Sequence, residues 1–318
     1  MKEKIRISWI DQMRGLSMIG VYFAHVNIST YYYGLFCFWL IPCFFFISGY
    51  LHKDDVTIKK TANKIFRILI PYIIFTLLLF SNQIIKDINL SNISNNFLKL
   101  ITGRGIWFFA CFVVVEIIAF FISKLINIYI KYRNSIILSV IIIGFIAMNL
   151  VQPRSQMWWH IDTAICSISY YYSGYLFHYF LLQKIPYSRF DYIILPVLTI
   201  ISLLIYIFKV LDFNVSINIY GQPLINLPMA IIGSIATALF LRRINLGYFI
   251  TFIGQNTIWL YGVNYYMLSF SDQIYSQIGL IHLNPYIYVP IKVMTSIILG
   301  CLLVIPINRW VPWINGKY

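Results

Sequence analysis

Charged side chains are scarce in this 318-residue chain: 11% of its residues are Asp, Glu, Lys or Arg, against about 25% in soluble proteins. Acidic residues are the rarest, with 10 Asp and Glu in all, whereas 60% of the residues are hydrophobic. This composition excludes a water-soluble enzyme, a disordered chain and a fibrous repeat. It predicts a polytopic membrane protein, because each transmembrane helix needs about 20 mainly apolar residues.

Cysteine motifs and targeting signals are also missing. The five cysteines lie in apolar stretches without CxxC spacing, which argues against a disulfide framework and against a metal site. The first apolar stretch contains Asp11 and Arg14 and has no small-residue cleavage site, so we expect no cleavable signal peptide. We treat residues 1–318 as a single transmembrane domain and expect no appended soluble domain.

Ten apolar runs are separated by polar, proline or glycine breaks. Helices are expected in all of them, because lipid offers no hydrogen-bond partner to open backbone groups. The predicted fold class is therefore an all-α polytopic membrane protein with about ten transmembrane helices. The predicted spans are 9–28, 34–51, 65–82, 105–123, 134–151, 161–181, 190–210, 223–241, 247–270 and 286–308.

Basic residues outnumber acidic residues by 24 to 10 and are unevenly distributed. Cytoplasmic loops accumulate Lys and Arg, so this excess argues for a membrane orientation and against nucleic-acid binding. Most of the basic residues lie at the two termini and in the loops around 52–64, 124–133, 182–189 and 242–246. Both termini are therefore predicted to be cytoplasmic. The alternate loops contain Lys86, Lys99, Arg104, Arg154 and Lys209.

The longest predicted outer loop covers about 83–104 and is rich in Asn, Ser and Ile. Its composition is compatible with a lid over a site and with a simple connector, and both interpretations stay open.

The first predicted helix contains ionisable residues, which are costly inside a membrane and therefore indicate function. Arg14 and His25 are 11 residues apart, so both project from one helix face, about 16 Å apart along the axis. Asp11 precedes Arg14 by three residues and can pair with it. With a cytoplasmic amino terminus, Arg14 lies near the cytoplasmic end and His25 near the outer leaflet. The alternative is that Arg14 contacts lipid headgroups and His25 caps a helix end.

The stretch WIDQMRGLSMIGVYFAH, which ends at His25, resembles the start of the acyltransferase 3 family. These are membrane O-acyltransferases with an Arg-x10-His motif in the first helix. The similarity continues in FFFISGY at 44–50 and in KIFRILIPY at 64–72. Shorter similarities follow in WFF at 107–109, SGYL at 173–176 and GQNT at 254–257.

The resemblance implies an acyl-CoA donor, with acetyl-CoA as the first candidate, and no permanently bound cofactor. Basic groups beside a glycine-containing turn suit the phosphates of coenzyme A. The alternative for the basic residues of the third span is an ordinary cytoplasmic anchor. One of these basic residues departs from the family pattern: Lys64 stands where many members have Arg. The predicted donor-binding residues are Arg14, Ser48, Gly49, Lys64 and Arg67.

The predicted catalytic residues are His25, Arg14, Asp11 and Glu116. His25 is proposed as the general base that activates an acceptor hydroxyl, since an imidazole titrates near neutral pH. A transient acyl-histidine is the open alternative. Glu116 is the only carboxylate well inside the fourth span, so we expect it to be paired, protonated or used to orient His25.

The predicted acceptor-binding residues are Trp107, His160, Tyr172 and Asn264. Aromatic rings at the outer face can stack on sugar rings, although they also suit an interfacial belt. In the ninth span, some sugar acetylases of the family have His where this chain has Asn264.

These expectations together describe an acetyl-transferring enzyme of the bacterial cytoplasmic membrane, acting on a cell-surface or lipid-linked saccharide. Its predicted partners are acyl-CoA, the saccharide or lipid-linked glycan acceptor and membrane lipid, with no nucleic acid and no prediction of oligomeric state. A transporter or flippase of lipid-linked glycans is the alternative from another class. A scaffolding subunit of a polysaccharide synthase is a weaker one, because it would not need the charged face of the first helix.

Overall fold

A computed structural model of the chain describes residues 7–26, 31–35, 38–86, 89–181, 188–208 and 213–317. Across these residues the chain is helical and contains no β-strand, which confirms the all-α prediction for this part. The helices are α1 (Ser8–Ala24), α2 (Tyr31–Gly34), α3 (Leu40–Tyr50), α4 (Ile58–Lys86), α5 (Leu90–Ile101), α6 (Trp107–Ile128), α7 (Arg133–Leu150), α8 (Ile161–Leu176), α9 (Ile194–Ile207), α10 (Pro223–Leu241), α11 (Tyr248–Gln255), α12 (Thr257–Gln277) and α13 (Pro285–Trp310).

Five of the described stretches are long and apolar enough to cross a membrane. Helices α3 and α9 are also apolar but shorter, with 11 and 14 residues. The five stretches are Ile58–Ser81, Trp107–Ile128, Ile130–Leu150, Pro223–Leu241 and Pro285–Trp310. This architecture agrees with a membrane protein, while the count of ten spans and the cytoplasmic termini stay predictions. Of the basic residues used for that orientation, those at 2–6, Lys184 and Lys209 lie outside the described residues.

All ten predicted spans contain helix, but the ninth is divided in two at Asn256. This residue leaves helical geometry, with φ −125° and ψ 24°. Its side-chain oxygen accepts hydrogen bonds from Asn308 at 2.8 Å, Asn315 at 2.7 Å and Lys317 at 2.7 Å. The break between α11 and α12 is therefore tied to the carboxyl-terminal end of the chain.

Helix α5 lies within the predicted outer loop and was not predicted. The Asn89 side chain accepts a hydrogen bond from the Ser91 backbone at 3.2 Å and so caps the first turn. Ile93, Phe97 and Ile101 recur at four-residue spacing and are all exposed. An exposed apolar stripe on a short polar helix is typical of a helix at a membrane surface. The loop is thus a structured amphipathic element.

Helices α3 and α8 approach each other backbone to backbone. A Cβ at Gly49 would overlap the carbonyl oxygen of Tyr171, and a Cβ at Gly174 would overlap that of Phe46. Since any larger side chain would push the two helices apart, glycine is required at both positions. Both glycines lie in segments that resemble the acyltransferase 3 family, so this part of the resemblance has a packing reason.

The helices give the molecule two distinct ends. We call the end with the start of α1 the inner end; here the backbone of Asp11 meets Gly254, and Gly316 packs against the carbonyl of Arg67. We call the opposite end, reached where α1 stops before His25, the outer end. The beginning of α6, with Trp107, lies at this outer end beside His25.

Candidate active site

His25 directly follows the last residue of α1, and its ring is fixed by a backbone contact. Its Nδ1 lies 2.8 Å from the carbonyl oxygen of Val21. A carbonyl oxygen only accepts hydrogen bonds, so Nδ1 carries the proton and Nε2 of the neutral ring presents a lone pair. This is the tautomer that a general base at Nε2 requires.

His25 lines a cavity of about 190 Å³ at the outer end. Trp107 from α6 and Tyr261 from α12 form aromatic walls, and Asn214 and Ser216 contribute polar groups. The cavity is smaller than a typical ligand pocket of roughly 300–1,000 Å³. It therefore suits one ring of a larger molecule better than the whole of it. Two residues predicted from sequence, His25 and Trp107, meet here.

His160 lies behind Trp107, with the two ring centroids 6.2 Å apart. Trp159 and His160 both have left-handed backbone angles, with φ 55° and 52°, a conformation that costs free energy for residues other than glycine. Two hydrogen bonds hold this turn: Trp159 donates from its backbone nitrogen to Thr102 at 2.8 Å and from its indole to Ile101 at 2.9 Å. The turn thereby fixes His160 as a buried support for the wall of the cavity.

The other two predicted acceptor residues are placed differently. Asn264 is buried on α12, one helical turn after the wall residue Tyr261. Tyr172 is fully buried on α8, with its ring centroid 5.5 Å from that of Tyr171. A fully buried ring offers no free face to a sugar, and Tyr172 lies with the residues of the inner end. The structure therefore does not bring Tyr172 to the outer cavity.

At the inner end, Asp11 and Arg14 form the ion pair expected from their spacing, with 3.7 Å between Oδ1 and Nη1. Gln255 of α11 donates a hydrogen bond to the other carboxylate oxygen of Asp11 at 3.2 Å. This contact depends on close packing, because a Cβ at the neighbouring Gly254 would overlap the Asp11 carbonyl. The GQNT segment therefore positions the ion pair between Asp11 and Arg14.

A second ion pair joins α4 to α6. Lys64 Nζ lies 2.8 Å from Glu116 Oε1, and the Glu116 side chain is 4% exposed while that of Lys64 is 43% exposed. Of the expectations for Glu116, pairing is the one that this geometry matches; its partner is Lys64 and not His25. A buried carboxylate needs such a partner, since an isolated charge would be strongly destabilising.

The remaining predicted donor residues surround the same region. Arg67 is exposed one turn after Lys64, and Ser48 is half-buried near the end of α3. Gly49 is buried against Tyr171, whose ring centroid is 6.0 Å from Lys64 Nζ. The structure thus groups Gly49 and Lys64 around Tyr171, and their contacts with a donor stay predictions.

Sequence reasoning missed His52, which follows α3 and bridges two helices. Its Nδ1 lies 2.9 Å from the Tyr171 hydroxyl, and its Nε2 lies 2.6 Å from Ser123 Oγ. Ser123 donates its own proton to the Ala119 carbonyl at 2.7 Å, so it must accept from Nε2–H. The Tyr171 hydroxyl then donates to Nδ1. The hydrogen bonds that link Tyr171, His52 and Ser123 can all form only while His52 is neutral.

The environment of His52 also opposes its protonation. Burial, together with the positive charge of Lys64, lowers the pKa of His52 from its ordinary value to about 4, against the weaker effect of Asp55. His52 lies two residues after the end of the FFFISGY segment, and this proximity is the one available sequence signal. Its partners are 71 and 119 residues away in the chain.

A second missed feature is a buried lysine on α13. Lys292 is 4% exposed, and its Nζ lies 2.6 Å from Asp272 Oδ2 on α12. The Tyr288 hydroxyl donates to the other oxygen of Asp272 at 2.5 Å. This network joins α12 and α13 far from the inner end, and its charges are compensated within it.

Comparison with protein families gave a match to the acyltransferase domain family Acyl_transf_3 over residues 7–305. The match covers all the elements described above except the carboxyl-terminal end, and it confirms the resemblance found in the sequence. Comparisons with curated proteins and with solved structures gave no match.

Proposed function

The chain belongs to the acyltransferase 3 family, and from this premise we propose that it transfers an acyl group, acetyl in the first instance, from acyl-CoA to a saccharide hydroxyl. Family membership supports a membrane O-acyltransferase in general. The acceptor is a cell-surface or lipid-linked saccharide, and the enzyme lies in the bacterial cytoplasmic membrane with about ten spans and cytoplasmic termini. One observation supports the finer proposal most: α1 carries Arg14 at the inner end and leads directly into His25, which presents a lone pair at Nε2 in the outer cavity.

The donor binds at the inner end through its phosphates. Arg14, Lys64 and Arg67 supply cationic groups there, and Ser48 and Gly49 lie beside them. Both Arg14 and Lys64 are paired with carboxylates. Phosphate oxygens therefore exchange with, or add to, these carboxylate contacts when the donor binds. The acyl-bearing arm then extends along α1 for about the 16 Å that separates Arg14 from His25.

The acceptor sugar enters the outer cavity, where one ring packs against Trp107 and its hydroxyl faces His25. Nε2 of His25 removes the hydroxyl proton while the oxygen attacks the thioester carbonyl carbon. A new carbon–oxygen bond forms and the carbon–sulfur bond breaks. The leaving thiolate takes the proton back from the imidazolium, which restores neutral His25 and releases coenzyme A.

Purified protein in nanodiscs, incubated with radiolabelled acetyl-CoA and candidate glycans, tests this proposal. We expect label on the glycan with the wild type and at least about a hundredfold slower labelling with His25→Ala, because the proposed base is absent. Glycan binding by the wild type without binding or hydrolysis of acyl-CoA would contradict the proposal and favour a flippase.

A further inference from the structure

A second cavity, of about 230 Å³, opens at the inner end between the start of α1 and the connection from α10 to α11. Its lining includes Trp9, Gln12, Arg242, Arg243 and Asn245. The proposed transfer uses none of these residues. The cavity combines an aromatic ring, two guanidinium groups and amide side chains.

The floor of this inner cavity is held in place by Gln12, which is 1% exposed. Its Nε2 donates to Asn245 Oδ1 at 2.5 Å, and its Oε1 accepts from the Leu246 backbone at 3.2 Å. Both groups of the amide are therefore used, and the connection after α10 is fixed against α1. The shape of the cavity is built by buried hydrogen bonds and does not depend on loose surface side chains.

The charge of the inner cavity favours an anion. Arg243 Nε lies 3.3 Å from Asp191 Oδ2, and Arg242 adds a second guanidinium group to the cavity lining. Arg242 and Arg243 are both half-buried, which limits screening by water. Guanidinium groups match phosphate oxygens in planar geometry better than an ammonium group does. The chemistry of this side of the cavity is that of a phosphate site.

The aromatic side of the inner cavity is Trp9. Its indole makes an edge contact with Tyr50, with ring centroids 5.1 Å apart, which fixes its orientation. Tyr50 follows directly after Gly49 at the end of α3. The inner cavity therefore borders the predicted donor residues at the end of α3. An aromatic face next to a phosphate site suits a phosphorylated nucleoside.

We propose that the inner cavity binds the 3′-phosphorylated adenosine end of the acyl-CoA donor, with the base at Trp9 and the 3′-phosphate at Arg242 and Arg243. This inference rests on the proposed function and names a part of the donor site that the family resemblance did not supply. Arg14 and Lys64 then serve the pyrophosphate in the middle of the donor. The acyl-bearing arm continues from there towards His25.

Binding of coenzyme A and of dephospho-coenzyme A, which lacks only the 3′-phosphate, tests the proposal on the full-length protein in nanodiscs. We expect the wild type to bind coenzyme A at least about tenfold more tightly than dephospho-coenzyme A, because the contacts to a charged group are lost with the 3′-phosphate. Arg242→Gln should reduce this preference, and Arg242→Gln together with Arg243→Gln should remove it, without changing the affinity for dephospho-coenzyme A. Arg309→Gln, an exposed arginine at the same end and outside the cavity lining, should keep the preference.

A truncated donor serves as the folding control. Acetyl-phosphopantetheine lacks the whole adenosine end, so Arg242→Gln and Trp9→Ala should use it as the wild type does. Equal affinity of the wild type for both forms of coenzyme A would overturn this inference and leave the proposed function standing. Equal loss of affinity for both forms in Arg242→Gln, with the truncated donor still used as by the wild type, would also overturn it. Absence of binding of either form by the wild type would contradict the proposed function and the cavity assignment together.

Discussion

The two ends of α1 have opposite chemistry. At the inner end, charges occur in pairs, Asp11 with Arg14 and Lys64 with Glu116. At the outer end, the described residues lining the cavity are apolar, aromatic or neutral and polar, apart from His25. A donor with several phosphates needs compensating cations, whereas a sugar hydroxyl needs a base and an apolar surface for its ring. Under the proposed function, one helix therefore presents groups suited to two substrates of unlike polarity at its two ends.

Removal of the outer base should have the largest effect. His25→Ala is expected to lower transfer by a factor of about 10²–10⁴, the usual contribution of a general base. Binding of coenzyme A at the inner end should stay within twofold of the wild type. Transfer is measured with labelled acetyl-CoA and coenzyme A binding by calorimetry on the same preparation.

A histidine outside the cavity provides the control for that variant. His282 is exposed in a turn after α12, and His282→Ala should leave both quantities unchanged. If His25→Ala weakened coenzyme A binding as strongly as transfer, the two ends would not have separate roles.

The inner ion pair can be separated into its structural and donor-binding roles. Lys64→Met leaves the Glu116 carboxylate buried without its partner, which should lower the free energy of unfolding by about 1–3 kcal/mol. The double variant Lys64→Met with Glu116→Leu should recover this stability, because no buried charge remains. It should still bind acyl-CoA about tenfold more weakly than the wild type.

Thermal unfolding and donor binding, measured on the same two variants, check this prediction. Recovery of donor affinity together with stability in the double variant would mean that Lys64 is only a structural partner of Glu116. The contrast between a charge-binding inner end and a neutral outer end would then depend on the Asp11–Arg14 pair alone.

The packing behind the first ion pair should have a smaller effect. Gly254→Ala adds a methyl group where the Asp11 backbone passes, so α11 must move away from α1. Overpacking of this kind costs about 1–3 kcal/mol of stability. Because Gln255 would lose its contact with Asp11, donor affinity should fall several-fold while the outer cavity is unchanged. Donor affinity equal to that of the wild type would show that this contact has no role in binding.

The smallest predicted effect is a dependence of stability on pH through His52. Its folded pKa of about 4 lies below the unfolded value of about 6.5, so the unfolded chain takes up the proton first. The free energy of unfolding should therefore fall by about 1 kcal/mol from pH 7 to pH 5.5. Above pH 7 the His52 imidazole should have little effect on it. His52→Gln, which can still accept from Tyr171 and donate to Ser123, should lose this part of the dependence. Melting curves of the two proteins at both pH values test it, and identical slopes would contradict it.

Much of the helical fold could be predicted because local periodicity determines it. Each of the ten apolar runs contains helix in the described residues, and the i,i+3 spacing of Asp11 and Arg14 corresponds to an ion pair. The apolar stripe of α5 was also readable in the sequence, but the polar composition around it led to the interpretation of a loop. A four-residue repeat of Ile93, Phe97 and Ile101 was the missed signal.

Contacts between distant segments could not be predicted in this way. The pairing of Lys64 with Glu116 depends on how α4 packs against α6, and no local spacing encodes it. The same holds for the break at Asn256, whose partners lie 52 to 61 residues later. Tyr172 had the right residue type for an acceptor site, but the orientation of α8 buries it.

The most direct test uses proteoliposomes in which the inner end faces one compartment and the outer end the other. Labelled acetyl-CoA is supplied on the side of Lys64, and the glycan acceptor on the side of His25. We expect labelled glycan with the wild type, and bound coenzyme A with at least about a hundredfold slower glycan labelling with His25→Ala. Labelling by His25→Ala at the wild-type rate, or labelling only when acetyl-CoA is supplied on the His25 side, would contradict this expectation.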